Sequence, residues 1–189
     1  MSATSIMIVG VGGQGTLLTS KLLGNVLLGA GYDVKLSEVH GMSQRGGSVV
    51  TYVKYGDRVF SPIVDQGEAD YILSFEILES ARWISYLKMG GQLITNTRKT
   101  WPMPVITGAA AYPENIVEKL SEMADVTAVD ALALAEQAGS PKAVNVVLIG
   151  VLSRRMDIPE AAWLKAIEET VPAKFLELNK RAFRLGREA

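Results

Sequence analysis

Two glycine-rich segments, Gly10-Val11-Gly12-Gly13-Gln14-Gly15 and His40-Gly41-Met42-Ser43-Gln44-Arg45-Gly46-Gly47, stand about one βαβ unit apart and limit what this chain can fold into. A continuous apolar run, Ile6-Met7-Ile8-Val9, leads into the first segment, as a strand covered on both faces would. Beyond it, Leu18, Leu22, Leu23, Val26 and Leu27 recur at three- and four-residue spacings, which predicts an amphipathic helix over 16–28. Gly29-Ala30-Gly31 stops that helix, and 33–38 alternates as a second strand, completing a βαβ opening with a right-handed crossover.

Downstream, residues 48–54 are β-rich and Tyr55-Gly56-Asp57 reads as a turn into Arg58-Val59-Phe60, which predicts a β-hairpin. Strands at 71–75 and 92–95 flank a predicted helix over 76–87, with Gly90-Gly91 as its exit. Trp101-Pro102-Met103-Pro104 reads as an extended linker, Pro113 opens a helix to about 123, and a strand at 126–129 precedes a helix at 131–138. Prolines introduce or separate three further helices, at 144–155, 159–169 and 172–185. The expected fold is α/β: a Rossmann-like, mostly parallel sheet with helices on both faces, a β-hairpin insertion and a helical C-terminus. Residues 1–189 are expected to form a single domain, since 189 residues with 48% hydrophobic content suit one substantial core.

Composition removes several function classes. A formal net charge of -1 gives no global basic field, so nucleic acid is not expected as the main partner. With no cysteine, the chain offers no disulfide, no thiolate zinc site and no cysteine-ligated iron–sulfur cluster. One histidine excludes a multi-histidine metal cage, and no metal site is expected on this chain, although carboxylate sites for magnesium stay open. The first residues lack a basic n-region, and the longest apolar run, 144–152, contains Asn145 and falls far below the ~20 residues of a membrane span. A cytoplasmic protein without a membrane anchor is expected. A mean hydropathy of +0.19 hints that part of the surface is buried against a partner.

The first glycine segment has the GxGxxG spacing that lets backbone approach a phosphate, with Thr16 opening a helix whose free N–H groups and dipole favour an anion. The same glycines also serve if the helix merely has to pack closely on the strand. Glu38, at the end of the second strand, stands about where an acid would grip the ribose of NAD, or it orients the following loop. In the second segment Arg45 offers a bidentate anion fork, Gln44 donates or accepts, and His40 exchanges a proton near neutral pH. Gly41, Gly46 and Gly47, leading into Ser48, would let that loop turn sharply, whether around a ligand or against a partner subunit. His40, Gln44 and Arg45 are therefore candidate site-lining residues. Asp65, Glu68 and Asp70 suit solvation or capping, Asn145 and Gly150 helix packing and a buried hydrogen bond, and Trp83 and Trp163 core or interface anchors. No GxSxG elbow or GxxxxGK[ST] loop occurs.

The run from Ile8 to Gly15, then Ser37 to Val49, and the later Ala143-Val144-Asn145-Val146-Val147-Leu148-Ile149-Gly150 resemble the gamma-type domain of 2-oxoacid:ferredoxin oxidoreductases over nearly the whole chain. The resemblance implies one subunit of a complex that oxidatively decarboxylates an aryl-pyruvate such as indolepyruvate, with coenzyme A as acyl acceptor and ferredoxin as electron acceptor. It further implies that thiamine diphosphate, its magnesium and the iron–sulfur clusters sit on a large partner subunit. Gly56-Asp57-Arg58 lacks the second glycine of the family's GDG thiamine signature, and the chain lacks cysteine. Gly12 to Thr16 and the loop from His40 to Ser48 are then expected to face that subunit's active site and receive the anionic end of the 2-oxoacid or coenzyme A. Two alternatives stay open: a stand-alone NAD- or flavin-binding oxidoreductase, and an assembly subunit whose glycine loops only shape an interface.

Overall fold

The computed structural model describes residues 3–38 and 47–189. Six strands form one sheet in the order β2-β3-β1-β4-β5-β6, with β1 Thr4–Val11, β2 Asp33–Glu38, β3 Ser48–Gly56, β4 Ala69–Ser74, β5 Leu87–Asn96 and β6 Asp125–Val129. The β1–β4, β4–β5 and β5–β6 pairings are parallel, whereas β3 runs antiparallel to both β1 and β2. The central run of β1 is fully buried because each of its faces meets a core. Ile6 and Ile8 pack with α1 (Thr16–Gly29) and the C-terminal helices, while Met7 and Val9 pack with Ile77, Ile116 and Leu120 on the other face.

The first face carries α1, α5 (Ala131–Ala138), α6 (Val144–Ser153), α7 (Glu160–Thr170) and α8 (Leu176–Glu188); α2 (Ile77–Trp83) and α4 (Ile116–Ser121) cover the second. Trp163 is fully buried, stacks on Phe183 at 6.0 Å between ring centroids, and donates its indole N–H to the Ile158 carbonyl at 3.3 Å. Trp83 is half-buried and donates to Glu79 Oε2 at 3.3 Å. α6 and α8 cross so closely that a Cβ at Gly150 would collide with the Phe183 carbonyl oxygen and one at Gly186 with the Val147 carbonyl oxygen.

Four local expectations are corrected. The 48–54 strand exists, but its partners are β1 and β2; with both edges of β3 paired, no edge remains for 58–60, which forms no strand. The Val59 amide instead donates to Asp33 Oδ2 at 2.8 Å. For the same reason β2 is not the neighbour of β1. The 76–87 helix ends at Trp83 in a 3₁₀ turn (Ile84–Tyr86), and Gly90-Gly91 lie inside β5, where a Cβ on Gly91 would press within 2.9 Å of the Ala69 carbonyl beside a register shift. Finally, the 101–104 linker turns into a one-turn helix, α3 (Met103–Ile106), and α4 begins only at Ile116, after Asn115 in a left-handed conformation.

Tyr55 meets Tyr32 edge-on at 5.1 Å, and burial pushes its phenol up to about 12. The folded chain therefore holds a proton that the unfolded chain releases near pH 10, so this contribution is complete below pH ~10 and is lost as pH rises toward ~12. Unfolding free energy measured across that window is expected to fall less steeply in Tyr55→Phe. Gly150→Ala is expected to lower stability by about 2 kcal/mol or more, because backbone rather than a movable side chain occupies the space; thermal unfolding checks it.

Candidate functional site

At the carboxyl edge of the parallel strands the chain leaves β1 for α1 on one face and β4 for α2 on the other, the topological switch where α/β sheets open a crevice. A cavity of about 600 Å³ lies there. Its floor is the glycine turn, Val11 to Gly15, with Phe75 after β4; one wall is Asn96, Arg98 and Thr100 from the end of β5, and the other is Pro141, Lys142, Val144 and Asn145 at the start of α6.

The turn holds its shape through its own groups. Gly13 and Gly15 take φ values of +95° and +90°, which L side chains rarely adopt. Gln14 folds back so that its Oε1 accepts the Val11 amide at 2.8 Å, and a Cβ on Gly10 would sit 2.7 Å from that oxygen. Gln14 is thus a brace for the turn. Gly15 caps α1 without a side-chain hydrogen bond, and the first turn carries no acid, so the helix presents unneutralised N–H groups at the cavity.

Among the described residues no acidic side chain lines the cavity. Arg98 and Lys142 are exposed and make no ion pair among the described residues. Asn145 is 5% exposed; its Oδ1 accepts the Val146 amide at 3.0 Å, while its Nδ2 has no partner among the described residues. The Thr100 hydroxyl is buried and likewise unpartnered. Two cations, an amide donor, a hydroxyl and a helix N-terminus around one concavity are the kind of groups that suit an anionic ligand.

Other predicted residues sit around this cavity rather than in it. Glu38 Oε1 accepts the Ser20 hydroxyl of α1 at 2.5 Å, and β3 separates β2 from β1, which puts β2 roughly 10 Å from β1, one strand spacing farther than an adjacent strand would be. Ser48 donates to Glu79 Oε2, and Arg82 Nε lies 3.1 Å from Glu79 Oε1, so the exit of the second glycine segment is tied to α2. Gly47 meets the first turn directly: its carbonyl accepts the Gly12 amide at 2.9 Å. His40, Gly41, Gln44, Arg45 and Gly46 lie outside the described residues. Asp70 accepts the Ser5 amide at 2.7 Å and pairs with Lys88, and Glu68 accepts the Asp65 amide at 3.1 Å. No group of three or more His, Cys, Asp or Glu suited to a metal occurs among the described residues.

Glu76 is also buried; it accepts the Glu79 and Thr100 amides, both at 2.9 Å, and the Tyr112 hydroxyl at 2.8 Å. Burial, and then this bond to a carboxylate, push the Tyr112 phenol above its usual range. Sequence reasoning did not find Arg98, Thr100 or Lys142, and gave Asn145 helix packing and a buried hydrogen bond rather than a place in the site. The available signal was positional: Arg98 and Lys142 follow a predicted strand end and precede a predicted helix.

A profile of the family described as pyruvate ferredoxin/flavodoxin oxidoreductase matches residues 5–189. The chain is 45% identical to indolepyruvate oxidoreductase subunit IorB of Thermococcus kodakarensis, over 98% of this chain and 95% of the relative. It is 44% identical to the protein of that name from Pyrococcus horikoshii, with the same coverage. The crystal structure of pyruvate oxidoreductase subunit PORC from Thermotoga maritima shares the fold, with a TM-score of 0.77 at 24% identity over 100% of this chain and 97% of that one.

Gly15→Ala is expected to cost about 1–2 kcal/mol from left-handed strain alone, since its methyl would meet Asn145 Nδ2 at an ordinary 3.4 Å contact. Thermal unfolding beside Gly29→Ala, where a Cβ meets nothing within 4 Å, separates this from a general glycine effect.

Proposed function

The chain belongs to the pyruvate ferredoxin/flavodoxin oxidoreductase family and is a subunit of a 2-oxoacid:ferredoxin oxidoreductase; from that premise we propose that its complex acts on indolepyruvate or a similar aryl-pyruvate. End-to-end likeness to the indolepyruvate oxidoreductase subunits carries this reading. In the proposed reaction the bond between the keto carbon and the carboxylate breaks and carbon dioxide leaves, the coenzyme A thiol loses its proton to solvent as its sulfur takes the acyl group, and the two released electrons pass one at a time to ferredoxin. Residues 1–189 act as one gamma-type domain, and the complex works in the cytoplasm. Among the described residues no helix is long and apolar enough to cross a membrane.

The resident chemistry belongs to a large partner subunit in this reading. A chain without cysteine does not fit an iron–sulfur cluster, and the described residues hold no cluster of metal-binding side chains for the magnesium of thiamine diphosphate. This chain's part is to close the site: the Gly12 to Thr16 turn, with Gly10 behind it, and Arg98 and Lys142 receive the anionic end of the 2-oxoacid or coenzyme A. In this proposal His40, Gly41, Gln44, Arg45 and Gly46, which lead into Gly47 and Ser48, take part in receiving the same group. The separation of Glu38 from the turn by β3 counts against the NAD-binding alternative.

Co-purification of the tagged chain should bring down a large, cysteine-rich thiamine-dependent subunit, and the complex should reduce a ferredoxin-like dye on addition of indolepyruvate and coenzyme A. A lone chain that binds NAD or flavin would refute the proposal. Within the complex, Arg45→Ala is expected to lower turnover about tenfold or more without unfolding the subunit. Unchanged steady-state kinetics would remove Arg45 from the site, and variants that lose assembly while every assembled complex keeps full activity would favour a structural role.

A further inference from the structure

Residues 97–100 are fixed at three points. The Thr97 amide donates to the Val129 carbonyl at 2.9 Å, the Arg98 carbonyl accepts the Ile77 amide at 3.1 Å, and the Thr100 amide donates to Glu76 Oε1 at 2.9 Å. Only the last of these depends on a side chain. Glu76 is 1% exposed, and its carboxylate takes three donors: Thr100 N–H and Tyr112 O–H on Oε1, and Glu79 N–H on Oε2. The segment so held carries Arg98 and Thr100 into the cavity wall, Arg98 with no ion pair among the described residues and Thr100 with a buried, unpartnered hydroxyl.

We propose that Glu76 is a positioning residue for reactant binding: its buried carboxylate holds residues 98–100 so that the Arg98 guanidinium stays at the cavity across from the glycine turn and meets the negative charge of the incoming reactant. This rests on the reading above that the cavity receives an anionic reactant. The requirement is for acceptors, not shape. All the donors around Glu76 point inward, and a carboxylate has acceptor sites on both oxygens and no hydrogen of its own. A glutamine in its place has one oxygen, so its NH₂ must face either the Glu79 amide or the Thr100 and Tyr112 donors, and one tether is lost. Loss on the Thr100 side frees the segment that aims Arg98; loss on the Glu79 side frays the start of α2, which holds the Arg98 carbonyl through Ile77.

The test uses the reconstituted complex. An inactive wild-type complex would refute the functional reading itself, so the variants are compared only once wild-type turnover is established. KM for coenzyme A, KM for the 2-oxoacid and kcat are measured for Glu76→Gln, Arg98→Ala, the double variant and Tyr112→Phe. Glu76→Gln and Arg98→Ala are each expected to raise the same KM roughly tenfold, with the larger effect in KM than in kcat. A rise for coenzyme A identifies phosphate as the group met, and a rise for the 2-oxoacid identifies its carboxylate. The double variant is expected to match Arg98→Ala alone, because Glu76 acts through Arg98. Multiplying effects in the double variant, an unchanged KM in either single variant, or a loss confined to kcat would overturn the proposal. Tyr112→Phe removes one donor and leaves both amide tethers, so its KM values are expected to stay near wild type, and a tenfold rise would overturn the proposal; if Glu76→Gln does not fold, Glu76→Asp, whose shorter side chain draws the carboxylate away from the Thr100 amide, takes its place in the cycle with Arg98→Ala under the same criteria.

Discussion

β3 runs antiparallel to β1 from Val11↔Ser48 to Thr4↔Tyr55, and this pairing decides where the second glycine segment comes. A strand parallel to β1 at that position would begin at the opposite edge of the sheet. Running the other way, β3 starts beside the end of β1, so Gly47 arrives next to the glycine turn and its carbonyl accepts the Gly12 amide. Gly47 and the glycine turn thus share the edge where the parallel strands open, and the cavity lies at that edge.

Packing on both faces stabilises this edge. On the first face, Gly150 and Gly186 let α6 and α8 cross at backbone contact, which fixes the axis of α6 and with it Asn145 and Lys142 at its start. On the second, α2 contributes two buried carboxylates, Glu79 toward Ser48 and Glu76 toward Thr100 and Tyr112. Each accepts hydrogen bonds from several donors, as buried charge requires. The walls of the cavity are therefore tied to the helical layers, while the side chains facing into it, Arg98, Lys142 and Asn145 Nδ2, keep donors available for a ligand.

Much of this was legible in the chain. Apolar runs and glycine stops gave β1, α1, β2 and most of the C-terminal helices, because those elements are specified by local periodicity. The insertion of β3 was not, since strand order is a choice of long-range partner: the β-rich 48–54 run is equally suited to pairing forward with 58–60 or backward with β1 and β2. Gly90-Gly91 misled for a related reason, because a glycine that lets one strand approach another looks the same in sequence as one that ends a helix. At the site, the glycine turn was readable from its spacing, and family resemblance gave the wider function. Arg98, Thr100 and Lys142 are ordinary surface residue types in sequence, and only the convergence of β5 and α6 on one edge gives them a shared cavity.

In the proposed complex this edge faces the catalytic partner. Hydrogen exchange of the chain, alone and in the assembled complex, measures that directly. The account predicts that assembly slows exchange at the glycine turn, 10–16, and along 97–112. Protection confined to the opposite edge, around Tyr32, Tyr55 and Tyr71, with the turn unchanged, would contradict it.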